Sequence, residues 1–225
     1  MRALLLLAMV LALAWLPGLW VRRVLARHGR DESYAIDGAT AARRFLDRAG
    51  LREVRVERGA PDGDHYDPTA RAVRLAPERH DRRTLAAQVV AAHEVGHAMQ
   101  HAAREIGFGF RTELAKLALL AQRAGLVLLI ASPLLAAFGP GAFALAAGVG
   151  LLGFLLAVLV HLATLPVELG ASFDKALPLL EAGGDLHPDD HAAARAILRA
   201  AALTYVAGAA LALISFGRWG RILRP

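Results

Sequence analysis

Residues 124–165 read AGLVLLIASPLLAAFGPGAFALAAGVGLLGFLLAVLVHLATL, and none of these side chains carries a formal charge. Lipid offers no hydrogen-bond partners, so such a segment must satisfy its backbone internally as helix, and about 20 apolar residues are enough to cross a bilayer. The segment is too long for one crossing, and Gly139, Pro140 and Gly141 interrupt its middle. We therefore predict a transmembrane helical hairpin with a tight turn on the outer side of the membrane.

Two further apolar segments lie near the ends of the sequence. Residues 1–21 carry one charge, at Arg2, and residues 200–217 carry none. The first segment lacks a small-residue cleavage site and is followed at once by arginines, so we expect an uncleaved anchor rather than a signal peptide. The last segment is barely long enough to span, and three arginines follow it. About four transmembrane helices are predicted, which excludes a purely soluble protein.

Basic side chains indicate which segments face the cytoplasm. The chain has 26 Lys and Arg against 20 Asp and Glu, a net charge of +6. Most of the basic residues lie in 22–123 and 166–199, so we place both segments in the cytoplasm and the amino terminus outside. A basic face beside anionic lipid accounts for the net charge, and no nucleic-acid motif is present, so we expect the lipid bilayer as a partner and no nucleic acid. The absence of cysteine excludes disulfides, thiolate metal ligands and cysteine nucleophiles.

The cytoplasmic segments combine helices with a few short strands. Asp37 can cap a helix that ends near Gly50, and Thr84 or Asp81 can cap a long alanine-rich helix. Alternating apolar and charged residues predict two strands separated by a type I turn. Two glycines, at 183 and 184, break the later segment. The predicted helices are 39–49, 84–105, 166–181 and one from about 188 into the last apolar segment, and the strands are 52–58 and 71–75.

Residues 93–97 read HEVGH within the long helix. Residues four apart share one helical face, so the imidazoles of His93 and His97 can reach one ion about 2 Å from each nitrogen. Glu94 is turned by one residue, which places its carboxylate beside the open position of the metal, where it can accept a proton from bound water. The pattern predicts a Zn²⁺ site with His93 and His97 as ligands and Glu94 as general base.

A catalytic zinc site needs a third protein ligand. His101 lies eight helical residues beyond His93, about 12 Å along the axis, so we interpret it as an exposed helix histidine. Glu168 is the favoured candidate, because an acid directly beyond an apolar span is costly unless it is solvated or bound. The residues alone leave other candidates open: the acids of 166–199 and the histidines His65, His161, His187 and His191.

Four stretches together resemble a known family. They are residues 64–68 (DHYDP), the HEVGH helix, residues 165–172 (LPVELGAS) and residues 200–206 (AAALTYV). Over roughly residues 33–207 this order is similar to the YugP-like neutral zinc metallopeptidases of bacterial membranes. More distantly, Glu168, Ala171 and Ser172 resemble the E-x-x-A-D segment of the HtpX and CAAX prenyl-protease group. The resemblance implies a bacterial plasma (inner) membrane location and one Zn²⁺ per chain, with Glu168 as third ligand.

The chain departs from these patterns at two positions. Ser172 stands where the wider group has Asp, and Gly170 stands where the YugP-like pattern has Asn. The carboxylate that usually holds a zinc-bound histidine is therefore absent or replaced, and Ser172 and Asp174 are the candidates for its place.

These observations predict a mainly α membrane protein in which a zincin-like portion of helices and a small sheet is attached to the membrane helices. Its predicted parts are an anchor at 1–21, a cytoplasmic segment with the HEVGH helix at 22–123, the hairpin at 124–165, a cytoplasmic segment with the third ligand at 166–199, and a C-terminal helix at 200–217.

The predicted function is a zinc endopeptidase that hydrolyses peptide bonds near the cytoplasmic membrane surface by metal-activated water. Protein or peptide substrates, including membrane proteins, would be its partners. By similarity to zincins, the strand at 71–75 would pair with an extended substrate. His65, Tyr66 and Tyr205 are candidate oxyanion donors or substrate contacts. Two alternatives remain: a non-catalytic membrane scaffold or adaptor, and a zinc hydrolase of a non-peptide substrate.

Overall fold

The computed structural model describes residues 18–203 together with residues 16, 206 and 209. Most of the predicted anchor at 1–21 and of the predicted C-terminal helix at 200–217 therefore lies outside the described residues, and so does Tyr205. The chain forms two compact units. The first unit comprises Leu19–Gly109 with Pro166–Leu203, and the second unit is built around Phe110–Leu165.

The described part of the chain is mainly helical with one small sheet, which confirms this part of the predicted fold class. The elements, in chain order, are helix α1 (18–28), α2 (Gly38–Arg48), strands β1 (Arg55–Arg58), β2 (His65–Asp67) and β3 (Ala72–Leu75), α3 (Pro77–His80), α4 (Leu85–Ala102), α5 (Ile106–Leu135), a 3₁₀ turn (Ala136–Phe138), α6 (Pro140–Leu169), a π-helical segment (Gly170–Ala176), α7 (Leu177–Ala182), a 3₁₀ turn (Pro188–Asp190) and α8 (191–203).

Side-chain caps begin the two helices that frame the core of the first unit. The Asp37 carboxylate accepts a hydrogen bond from the Thr40 amide at 2.7 Å, and the Thr84 hydroxyl accepts one from the Ala87 amide at 3.2 Å. Both caps were predicted. Helix α4 is rich in alanine and buried along most of its length, so other elements can approach it closely from several sides.

The sheet has the order β1-β3-β2, with β1 parallel and β2 antiparallel to β3. Asp67 forms the predicted turn, since its Oδ1 accepts hydrogen bonds from the amides of Thr69 at 2.8 Å and Ala70 at 2.9 Å. The predicted first strand begins later, at Arg55, and β2 was not predicted. The expectation that residues 71–75 pair with substrate is wrong, because β3 is the central strand and both of its edges are already paired.

The predicted helix start at Pro166 is also wrong. Pro166 lies inside α6, whose helical path continues through the π-helical segment into α7. An interior proline removes one backbone hydrogen bond, and the long run of helix around it tolerates that loss. This continuity brings Glu168 into the first unit on a helix rather than on a loop.

Among the described residues, one helix is long and apolar enough to cross a membrane. It runs from Pro140 to Ala182 with a mean hydropathy of 2.6 in its most apolar window, and a shorter apolar stretch covers Leu119–Leu128. Four spans therefore remain a prediction.

Candidate metal centre

Three side chains that were expected to bind metal converge in the first unit. His93 and His97 lie on α4, and Glu168 lies near the end of α6. One ligand atom from each of the three lies within 4.8 Å of the others. Glu168 Oε2 is 3.3 Å from His93 Nε2 and 3.4 Å from His97 Nε2, and all three side chains are buried. Two imidazole nitrogens and a carboxylate oxygen aimed at one point form a donor set that suits catalytic Zn²⁺.

Gly96 allows the two histidines and Glu168 to come together. A Cβ atom at this position would lie 2.6 Å from the carbonyl oxygen of Ala171, so only glycine lets α4 and the π-helical segment approach this closely. Glu168 and Ser172, on either side of Ala171, then reach the HEVGH histidines: Glu168 lies beside both rings, and Ser172 contacts His93.

Each histidine has a partner for its second ring nitrogen. Ser172 Oγ lies 3.1 Å from His93 Nδ1, and Gln100 Oε1 lies 3.0 Å from His97 Nδ1. If both Nδ1 atoms carry the proton and donate it to these oxygens, both Nε2 atoms are left with lone pairs for a cation. Ser172 therefore contacts His93 from the position where the wider group has an acid, whereas the alternative candidate, Asp174, is exposed.

Gln100 joins the two elements that carry the ligands, and sequence reasoning missed it. Its Oε1 accepts from His97, and its Nε2 donates to the carbonyl of Val167 at 2.9 Å. The side chain is 1% exposed. The available signal was its spacing, three residues after His97 and therefore on the same helical face.

Glu94 is buried on α4 and lies close to a second charged group. The carboxylate of Asp64 accepts hydrogen bonds from the Ala76 amide at 2.7 Å and from the Arg79 guanidinium. Burial raises the pKa of Asp64 against the opposing effect of Arg79, and the negative charge of Glu94 adds to the rise in this pKa. The Asp64–Arg79 pair therefore belongs to the electrostatic surroundings of the proposed base.

Two other predicted site residues lie on β2 and are not members of the metal-ligand cluster. His65 is exposed, and its Nδ1 lies 2.8 Å from the carbonyl of Gly63. Tyr66 is buried, and its hydroxyl lies 2.8 Å from His101 Nδ1. Burial raises the pKa of Tyr66. The interpretation of His101 as an exposed helix histidine is wrong, because its side chain is half-buried and contacts Tyr66 of β2.

The remaining candidate ligands lie elsewhere. The His187 ring packs on Tyr34 with 4.9 Å between ring centroids, and His191 Nδ1 is 3.7 Å from a carboxylate oxygen of Glu181. His161 lies in the second unit. The described residues therefore leave Glu168 as the acid or histidine that joins the HEVGH pair in one cluster.

Comparison with known proteins agrees with this donor set. A family model described as "Putative neutral zinc metallopeptidase" matches residues 3–224. The chain belongs to this family. A protein of Bacillus subtilis (strain 168) described as "Putative membrane protease YugP" is 37% identical over 184 residues, which cover 81% of this chain and 78% of that protein. No solved structure gives a significant match to the chain. Membership of a zinc peptidase family implies zinc, and the cluster on α4 and α6 is the candidate site for it.

Proposed function

We propose that this protein is a membrane-bound zinc endopeptidase that cleaves proteins near the cytoplasmic membrane surface. The observation that carries the proposal is the buried convergence of His93, His97 and Glu168, with Glu94 on the same helix turn as the histidines. Bound Zn²⁺ would polarise the scissile carbonyl and lower the pKa of a water molecule towards about 7. Ser172 and Gln100 would hold the two imidazole rings in position for it.

Glu94 would move the proton. Its carboxylate accepts the proton of the attacking water on one oxygen and then donates it to the nitrogen of the leaving amine. The side chain is 6% exposed, so bulk water has little access to this transfer. Arg79, which pairs with Asp64, would offset part of the negative charge of Asp64 and Glu94.

An extended substrate would pair with β2. Since β3 is paired on both sides, β2 and β1 are the outer strands of the described sheet. Of these two, β2 lies against α4, where the Tyr66 hydroxyl contacts His101. Main-chain hydrogen bonds to the free edge of β2 would align the substrate beside the catalytic helix.

The position of Glu168 supports the proposed membrane location. This residue comes three positions after the uncharged segment 124–165, so the proposed zinc site would lie near the bilayer surface. The basic segments 22–123 and 166–199 would place that surface on the cytoplasmic side. Juxtamembrane segments of other membrane proteins are the substrates that such a site reaches most readily.

Metal analysis and peptide cleavage by the full chain in detergent test the proposal. We expect one zinc per chain, wild-type cleavage of labelled casein that a chelator abolishes, and zinc retention without cleavage in Glu94→Gln. His97→Ala and Glu168→Ala should lose both zinc and cleavage. Glu113→Gln, an exposed change on α5, is the matched control and should behave as wild type.

Each alternative gives a different result. A folded protein without bound zinc would favour the scaffold or adaptor. Stoichiometric zinc with no cleavage of any peptide would favour a hydrolase of another substrate class. Equal zinc in Glu168→Ala and the wild type would remove the third ligand from the proposed site.

A further inference from the structure

A pocket of about 490 Å³ lies in the first unit beside the C-terminal half of α4. We call it the arginine pocket. Phe108 forms one wall, and its ring centroid is 5.9 Å from that of His97 and 6.2 Å from that of Tyr66. The pocket therefore begins one aromatic ring away from the proposed zinc ligands. Apolar side chains, among them Leu51 and Val54, complete the lining together with the Tyr66–His101 pair. The charged rim of the pocket consists of Glu53, Glu105, Arg71 and Arg104.

Two rim residues have unfavourable backbone conformations. Arg71 has φ 48° at the end of the β2–β3 turn, and Arg104 has φ 52° directly after the C-terminal cap of α4. Glycine adopts this left-handed conformation more easily than any residue with a side chain, and it is the residue expected both after a helix cap and at the end of a turn between strands. The described residues contain one more non-glycine case, Asp62 with φ 53°, outside the pocket. Arginine at two positions that favour glycine, both on one pocket, points to a use for the guanidinium groups.

The charges of the rim leave these guanidinium groups available. Neither Arg71 nor Arg104 forms a side-chain hydrogen bond or ion pair within the described part of the chain. Of the two rim acids, Glu105 is held by Lys175 at 3.0 Å, which leaves Glu53. The rim thus presents two free cations and one free anion above an apolar wall.

We propose that the arginine pocket is a specificity site for a carboxylate of the peptide substrate, supplied either by an acidic side chain or by the C-terminus. The inference rests on the proposed function, because the closeness of Phe108 to His97 makes the occupant part of the molecule being cleaved. Arg104 lies seven residues beyond His97 along α4 and its cap, which corresponds to about 10 Å of helix rise. An extended peptide covers that length in about three residues, so the carboxylate should lie about two to four residues from the scissile bond. Leu51, Val54 and Phe108 hold the apolar part of the same residue or its neighbour.

Binding to a non-cleaving protein tests the pocket separately from catalysis. The zinc-loaded full chain carrying Glu94→Gln is titrated with fluorescein-labelled peptides of one sequence in three forms. The first form has glutamate two to four residues from the expected cleavage site and an amidated C-terminus. The second has glutamine at those positions and an amidated C-terminus, and the third has glutamine there and a free C-terminal carboxylate. The glutamate or the free-carboxylate peptide should bind about 5- to 10-fold more tightly than the amidated glutamine peptide, the gain expected for a partly exposed charge-assisted contact.

Glycine substitutions separate recognition from structure. Arg71→Gly and Arg104→Gly relieve the backbone conformation, so the melting temperature should rise or stay the same while the preference for the carboxylate falls by about 3- to 10-fold. Asp62→Gly relieves the same conformation outside the pocket and should keep the full preference. A purely structural role for the arginines would leave the preference unchanged in all three variants, and that result would overturn the proposal.

Cleavage rates measured with the same peptides distinguish the two proposals from each other. A wild-type enzyme that cleaves all three peptides with equal kcat/KM and binds them equally contradicts the arginine pocket but not the peptidase. A protein that cleaves none of them yet binds the carboxylate through both arginines contradicts the peptidase and keeps the pocket. If anionic vesicles bind through Arg71 and Arg104 while the peptides show no preference, the site is a lipid-phosphate site and the proposal is wrong.

Discussion

Replacing Gly96 with alanine perturbs the site without removing any proposed ligand. The new Cβ would lie 2.6 Å from the carbonyl oxygen of Ala171, where ordinary contact begins at 3.4 Å. The opposing atom belongs to the backbone, so no side chain can rotate away. Either α4 or the π-helical segment must therefore move by about 0.8 Å.

The size of this movement determines the expected loss in the free energy of unfolding. Overpacking of a buried site costs about 1–3 kcal/mol, and a rigid backbone contact places Gly96→Ala near the upper end. The higher helix propensity of alanine returns about 1 kcal/mol. We expect a net loss of about 2 kcal/mol in the free energy of unfolding, or about 5 °C in melting temperature for a chain of this size.

The zinc affinity of Gly96→Ala should fall by more than the loss of stability alone would cause. Metal–ligand distances tolerate only about 0.2 Å of error, which is much less than the required shift at the junction of α6 and the π-helical segment, where Glu168 and Ser172 lie. Displacement of the groups around a zinc ligand typically lowers affinity by about 10- to 100-fold. A shift of Glu168 itself should place Gly96→Ala at or beyond the upper value.

Two measurements on purified full-length protein in detergent check this prediction. Competition with a chromophoric chelator gives the zinc dissociation constant, and thermal unfolding in excess chelator isolates the packing cost from the metal effect. Gly148→Ala is the matched control, because Gly148 is a helical glycine on α6 and a Cβ added there would meet no atom within 4 Å. Wild-type zinc affinity and an unchanged or higher melting temperature in Gly96→Ala would refute the close-packing account of the site.

Four further predictions follow from the same geometry. Gln100→Ala should lower zinc affinity by about 10- to 100-fold, whereas Gln88→Ala should lower only stability. Gln88 is as buried as Gln100 and donates to the Ile36 carbonyl at 2.8 Å, so equal zinc affinities in both variants would contradict the role of Gln100. Ser172→Ala should lower zinc affinity by about 10-fold through loss of the His93 contact, and an unchanged dissociation constant would show that this contact is dispensable. Chelation should lower the melting temperature by about 5–10 °C, because free zinc at 100 times its dissociation constant adds about 2.7 kcal/mol; a melting temperature independent of zinc would argue against a site specific to the folded chain. Since the chain has no cysteine, an impermeant maleimide should label Phe138→Cys in intact cells and Arg52→Cys only after lysis, and the reverse pattern would invert the proposed topology.

Local sequence predicted those features of the fold that depend on neighbouring residues. The caps at Asp37 and Thr84, the turn at Asp67 and the existence of α4 each follow from interactions within four residues. Spacing alone also placed His93 and His97 on one face of α4, since this depends only on the helical repeat. Strand β2 was missed because three residues carry too little periodicity to be recognised.

Long-range contacts decided the features that were missed or wrong. Pro166 was expected to begin a helix, but the surrounding helix continues through it. The central position of β3 depends on pairing with β1 and β2 from opposite sides, and the half-buried His101 contacts Tyr66, which lies 35 residues earlier. None of these contacts leaves a pattern in the local sequence.

The sequence by itself determined that the chain has a membrane-scale apolar segment and a helix able to present two imidazoles and a carboxylate, because composition and helical periodicity are properties of neighbouring residues. Only the tertiary structure decided which acid joins those imidazoles, that Ser172 and Gln100 orient them, and that two arginines from distant turns share one pocket. Such groupings arise where separate elements pack against each other, and at Gly96 that packing depends on the absence of a single Cβ atom.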